Sequence, residues 1–140
     1  MKFRKTVYLA GCISYFYDTN QPQRATAWRD KAVKYLNDIN IKCFNPCDEN
    51  PRCWTYPQGG VLKQNYFYLQ NSDIILVNLD MINDSVGSIW ELSMAWKDYK
   101  PVIAFGKTPW LDRPHMNTLI DVWFKTLDEA LEYISDMYAM

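Results

Sequence analysis

The period of the hydrophobic positions changes repeatedly along the chain, and each change marks an element. Residues 6–10 (TVYLA) are a short β-rich run closed by Gly11, which predicts a buried strand followed by a tight turn. After a polar loop, residues 25–37 (ATAWRDKAVKYLN) place Ala25, Trp28, Ala32 and Leu36 at helical spacing, a stripe suited to facing a core. Residues 41–44 (IKCF) predict a second strand, stopped at Asn45-Pro46, a dipeptide that marks a turn. A long loop is expected over residues 46–60, closed by Gly59-Gly60, and a helix over residues 61–70. The run at 74–79 (IILVNL) is apolar almost without interruption, the mark of a strand covered on both faces. A helix over 89–99, a strand over 102–105 (VIAF), a loop over 112–117, a last strand within 119–124 and a helix over 126–138 complete the pattern. That final helix opens on Thr126-Leu-Asp-Glu129, a capping box.

Strands alternating with helices predict an α/β fold, a single domain over residues 1–140 with a five-stranded parallel sheet and helices on both faces. In such sheets ligands bind beyond the carboxyl ends of the strands, where the strand order reverses. The turns after Ala10, Phe44 and Leu79 all open on that edge. Gly11, the long loop with Trp54 and Tyr56, and the stretch 85–91 (SVGSIWE) are therefore expected to line one crevice.

Composition narrows the field. A chain of 140 residues buries about two-thirds of its unfolded surface, and 49% apolar with 22% charged residues is an ordinary globular mixture. Six Trp, ten Tyr and six Phe are an excess that fills a core, stacks a planar ligand or covers a subunit interface. Fifteen Lys and Arg against sixteen Asp and Glu leave a net charge of -1 with no basic block, which argues against a nucleic acid polymer as partner. The amino terminus reads as a first strand rather than a leader, and no window approaches the roughly 18 apolar residues of a membrane span. A cytoplasmic protein without a membrane partner is expected. Cys12, Cys43, Cys47 and Cys53 lack the paired spacing of zinc sites, and the single histidine, His115, lies far along the chain. Reduced structural thiols, and no metal, are the expectation.

The residues with chemistry to offer gather near Glu91. Ser88-Ile-Trp-Glu91 has the S-x-x-E spacing of a capping box, which would make Glu91 a structural cap. A helix start also supplies free amides that keep a carboxylate ionised, and a fixed carboxylate in a crevice can attack the anomeric carbon of a sugar. Both readings stay open on spacing alone. Ser85 and Gly87 would offer a hydroxyl and backbone amides to a ribose 5'-hydroxyl or a phosphate. Asp73 reads as a polar residue opening its strand, and Trp54 and Tyr56 as base-stacking or interface aromatics. Arg24 and Arg29 are candidate phosphate contacts, with Arg29 read as solvated on a polar helix face.

The ordered set Tyr8-Leu-Ala-Gly11, Trp28-Arg29, Asn45-Pro46, Ser72-Asp73-Ile-Ile-Leu-Val, Ser85-Val-Gly-Ser-Ile-Trp-Glu91-Leu-Ser-Met-Ala and Lys100-Pro-Val-Ile resembles the nucleoside 2-deoxyribosyltransferase family, from Thr6 to about Tyr133. The resemblance implies a flavodoxin-like sheet and cleavage of an N-glycosidic bond through a covalent sugar intermediate, with no cofactor. It makes Glu91 the nucleophile and Tyr8 the residue that positions it. The sugar then passes to a second base or, in relatives that hydrolyse nucleoside 5'-monophosphates, to water. It also implies a homo-oligomer with shared active sites, His115 and Asn117 being the matches to the residue a neighbouring subunit contributes. Asn65 stands where the transferases carry an aspartate that handles the departing base. Ser85 stands where well-studied transferases have an aspartate on the 5'-hydroxyl and the monophosphate hydrolases have serine. A nucleotide-binding protein that has kept the crevice and lost catalysis is the alternative of another class.

Overall fold

The computed structural model describes residues 4–48 and 56–139. Five strands, β1 (Thr6–Gly11), β2 (Lys42–Phe44), β3 (Ile74–Asn78), β4 (Val102–Phe105) and β5 (Val122–Phe124), form one all-parallel sheet in the order β2-β1-β3-β4-β5. This is the flavodoxin-like order, with its switch point between β1 and β3. Among the described residues six α-helices surround it: α1 (Ser14–Asp18), α2 (Gln23–Asp38), α3 (Gln58–Gln70), α4 (Val86–Lys97), α5 (Pro114–Leu119) and α6 (Leu127–Tyr138).

The side-chain alternation of β1 divides the core in two. Val7 and Leu9 join Ile74, Leu76, Ile103 and Phe105 beneath α2 and α6, where Trp28, Ala32, Leu36, Leu131 and Ile134 close the layer. Tyr8 and Ala10 join Ile75, Val77 and Ala104 on the other face, covered by Leu69 of α3, Leu92 and Ala95 of α4, and Met116 of α5. All five residues of β3 are buried, as expected of a strand with helices on both sides. None of the helices is long and apolar enough to cross a membrane among the described residues.

The amino edge of the sheet is closed by charge. Asp73 Oδ2 accepts from Thr6 N at 2.9 Å while Asp73 N donates to Thr6 O at 2.8 Å, so Asp73 opens β3 by clamping it to β1. Asp121 Oδ2 likewise accepts from Val102 N at 2.8 Å, and Lys100 Nζ donates to the carbonyls of Gln70 and Ser72 at 3.0 and 2.7 Å. The capping box at Thr126 forms: its Oγ1 accepts from Glu129 N at 3.3 Å and donates to Glu129 Oε1 at 2.9 Å.

Several boundaries differ from the pattern-based expectation. The loop before α2 contains α1, whose five residues are too few to show a period. Helix α3 begins at Gln58, so Gly59 and Gly60 lie in its first turn rather than ending the loop, with Gly60 N donating to the carbonyl of the N-cap Pro57 at 3.0 Å. Pro114 starts α5 inside the expected loop over 112–117, its missing N–H costing nothing at that position, and α5 takes Leu119 from the expected last strand. Cys53 and Trp54 lie outside the described residues.

Candidate active site

Helix α4 starts three residues earlier than the spacing predicts. Its N-cap is Ser85, which places Ser88 and Glu91 inside the helix. The expected capping box at Ser88 does not form, because Ser88 is already helical and Glu91 stands in the second turn. Ser88 Oγ instead accepts from Ser85 Oγ at 2.6 Å. Released from capping, Glu91 is turned inward and only 9% exposed.

The turns beyond β1 and β3 and the starts of α3 and α4 enclose a crevice of about 860 Å³, within the size range of small-molecule sites. Gly11, Asn65, Ser85, Gly87 and Glu91 all line it, as the sequence led us to expect. Tyr56, 53% exposed, is not among its lining residues, and His115 and Asn117 sit exposed on α5, away from this crevice of their own chain. Tyr8 is fully buried in the layer beneath α4. Its ring stacks on Phe44 at 5.2 Å between centroids, and Phe44 stacks on Tyr68 at 4.1 Å, so the phenol is held from its own strand register outward.

Gly11 is required by geometry. It ends β1 opposite Asn78 with φ +153, and a Cβ there would come within 3.2 Å of Trp28 Cζ2 and 3.4 Å of Asn78. Asn65 reaches the crevice from α3, and its Oδ1 is buried with no hydrogen-bond partner among the described residues, an acceptor held ready for a donor.

Arg29 corrects the expectation of a solvated side chain. It is 0% exposed, its Nη2 donating to Gly11 O at 3.1 Å and its Nη1 to Ala25 O at 2.8 Å and Cys47 Sγ at 3.4 Å. Burial pulls the guanidinium pKa down; Cys47, Glu91 and Tyr8, in that order, push it back up. The helical stripe carried the signal: Arg29 lies four residues after Ala25 and three before Ala32, within the same apolar band. Arg24, by contrast, bonds Gln21 at 3.1 Å and lies over Phe16, clear of the crevice.

Sequence reasoning also missed Asp18 of α1 and Cys47, both of which line the crevice. Asp18 was hidden by the shortness of its helix, and Cys47 by the lack of any spacing partner. Among the described residues, carboxylates (Asp18, Asp84, Glu91) and no Lys or Arg line the crevice.

The sequence model of the family described as nucleoside 2-deoxyribosyltransferase like matches residues 4–108, from β1 through β4. The chain belongs to that family. The resemblance of the ordered motifs to that family is thereby borne out. The fold is shared with a 2-deoxyribosyltransferase from the psychrotolerant bacterium Bacillus psychrosaccharolyticus, at a TM-score of 0.67 and 22% identity over 91% of each chain. A conserved protein from Enterococcus faecalis V583 superposes at a TM-score of 0.73 with 13% identity, covering 96% of this chain and 99% of that one. No curated protein matches the sequence significantly.

Proposed function

We propose that the protein cleaves the N-glycosidic bond of 2'-deoxynucleosides and transfers the sugar to a second base. In the first half-reaction a Glu91 carboxylate oxygen bonds C1' as the C1'–N bond breaks, and the base departs with the electron pair. In the second, a nitrogen of the incoming base attacks C1' and releases the carboxylate. Tyr8 positions Glu91, Asn65 contacts the base, and Ser85 with the Gly87 amide holds the 5' end. His115 and Asn117 complete the site of a neighbouring copy in a homo-oligomer. The observation that carries this reading is a largely buried glutamate at the switch-point crevice of a family member.

The charge of the crevice favours a neutral nucleoside, since Asp18 and Asp84 would repel a phosphate and no described cation lines the walls to offset them. The paired hydroxyls of Ser85 and Ser88 at the start of α4 favour a second reading, hydrolysis of nucleoside 5'-monophosphates with water as acceptor. Incubation with deoxynucleosides, with and without an acceptor base, and separately with the monophosphates, distinguishes them by chromatography. Base exchange that requires the second base supports transfer; free base from monophosphates alone replaces transfer by hydrolysis. A protein adduct carrying one deoxyribosyl group, seen by intact mass and absent in Glu91→Gln, would identify the nucleophile. Tight binding without turnover in every arm would leave a sensing or sequestering protein instead.

A further inference from the structure

Arg29 and Glu91 are the two charged residues that are buried among the described residues, and they are opposite in sign. They come from opposite layers: α2 covers the face of Val7 and Leu9, α4 the face of Tyr8 and Ala10. Both are placed at the carboxyl end of β1: Arg29 bonds the Gly11 carbonyl, and Gly11 and Glu91 line the same crevice. Two isolated charges withdrawn from water would each be strongly unfavourable, so their common location calls for a compensating pair.

We propose that Arg29 is a positioning residue, the buried cation that keeps Glu91 ionised and aimed into the crevice. Contacts to Gly11 O, Ala25 O and Cys47 Sγ fix the guanidinium plane from three directions, so the charge is delivered at a set place beneath the floor. The other titratable groups facing this region, among the described residues, are Tyr17 and Asp18 of α1, Asp84 before α4, the Tyr8 phenol and the thiols of Cys12 and Cys47. Asp18 and Asp84 add negative charge to the crevice wall, and the buried cation of Arg29 opposes it. The Coulombic coupling of Arg29 to Glu91 and Tyr8 accords with this arrangement. The catalytic consequence, a carboxylate ready to attack at neutral pH, rests on the nucleophile role proposed above; the charge pairing itself does not.

The test is therefore made on ligand-free protein. Carbon-detected NMR of labelled glutamate side chains follows the Glu91 carboxyl through a pH titration, its signal assigned by its loss in Glu91→Gln. The midpoint is expected to rise by about one pH unit or more in Arg29→Met and by less in Arg29→Lys, which retains the charge without the fork. An unmoved midpoint in Arg29→Met overturns the proposal. Should Arg29→Met not fold, Glu91→Gln supplies the reciprocal measurement. Exchange of the Arg29 guanidinium protons with solvent should quicken when its partner charge is removed, and unchanged exchange overturns the pairing. A shifted midpoint in a protein that turns over no nucleoside would defeat the functional reading and leave the pair standing; an unshifted one in an active enzyme would do the reverse.

Discussion

At the amino edge of the sheet the carboxylates of Asp73 and Asp121 accept from the amides of Thr6 and Val102, and Lys100 donates to two carbonyls. At the carboxyl edge Glu91 faces an open crevice, Arg29 lies sealed beneath it, and Asn65 keeps an acceptor without a partner among the described residues. At the amino edge such side chains close the backbone ladder, whereas at the carboxyl edge Glu91 and Asn65 line a crevice and Arg29 bonds backbone beneath it. Polar residues at a sheet end thus differ by what they face: strand backbone at one end, an open crevice at the other.

The largest contrast is in activity. Glu91→Gln should lower kcat by about a thousandfold or more, whereas Asp73→Ala should leave kcat within a few-fold. Equal losses in both would erase the distinction between the edges. Next is Gly11→Ala, where a methyl meets Trp28 and Asn78 and the backbone is unfavourable for other residues. About 1–3 kcal/mol of stability should disappear, read as a lower urea midpoint. A smaller effect, about 1 kcal/mol, is expected for Asp73→Ala in the same assay, since its hydrogen bond to Thr6 N is solvent-exposed and partly replaceable by water.

The smallest involves no substitution. Burial pushes the Cys43 thiol up to about 12, with Arg4 opposing. In the unfolded chain the same thiol ionises near its ordinary value, so its contribution to stability is full below about pH 8.5 and falls as pH rises above that. Cys43 should resist alkylation at pH 9 in the native protein and react readily in urea; rapid native labelling would show that β2 opens far more easily than its aromatic stack implies.

Legibility in the sequence followed the length of the period. Helix α2 announced itself through repeated apolar spacing, α6 through its capping box and the strands from β1 to β4 through short apolar runs, and the parallel sheet followed from the alternation of strand and helix. Helix α1 was invisible because one turn has no repeat to read. The start of α4 was misplaced because Ser88-x-x-Glu91 matches a capping box in letters, while the actual N-cap, Ser85, makes no side-chain cap bond that a pattern could reveal. Of the crevice residues, Gly11, Ser85, Gly87 and Glu91 lie in the ordered motifs, and Asn65 was named from the family resemblance. Arg29 was not, because a charged residue in an apolar stripe is ordinarily explained by a snorkelling side chain, and only the fold shows which way it turns. His115 and Asn117 are exposed on α5 and do not line the crevice of their own chain.

The division of β1 has one more consequence. Odd positions, Val7 and Leu9, belong to the layer of α2 and α6, and even positions, Tyr8 and Ala10, to the layer of α3 and α4. A slip of one residue in pairing would exchange these sets, exposing the wrong partners to each layer and swinging the phenol to the far side of the sheet. Accuracy of folding and placement of the phenol are thus one parity decision: a chain that seats Leu9 correctly has already put Tyr8 in the layer beneath α4, the helix that carries Glu91.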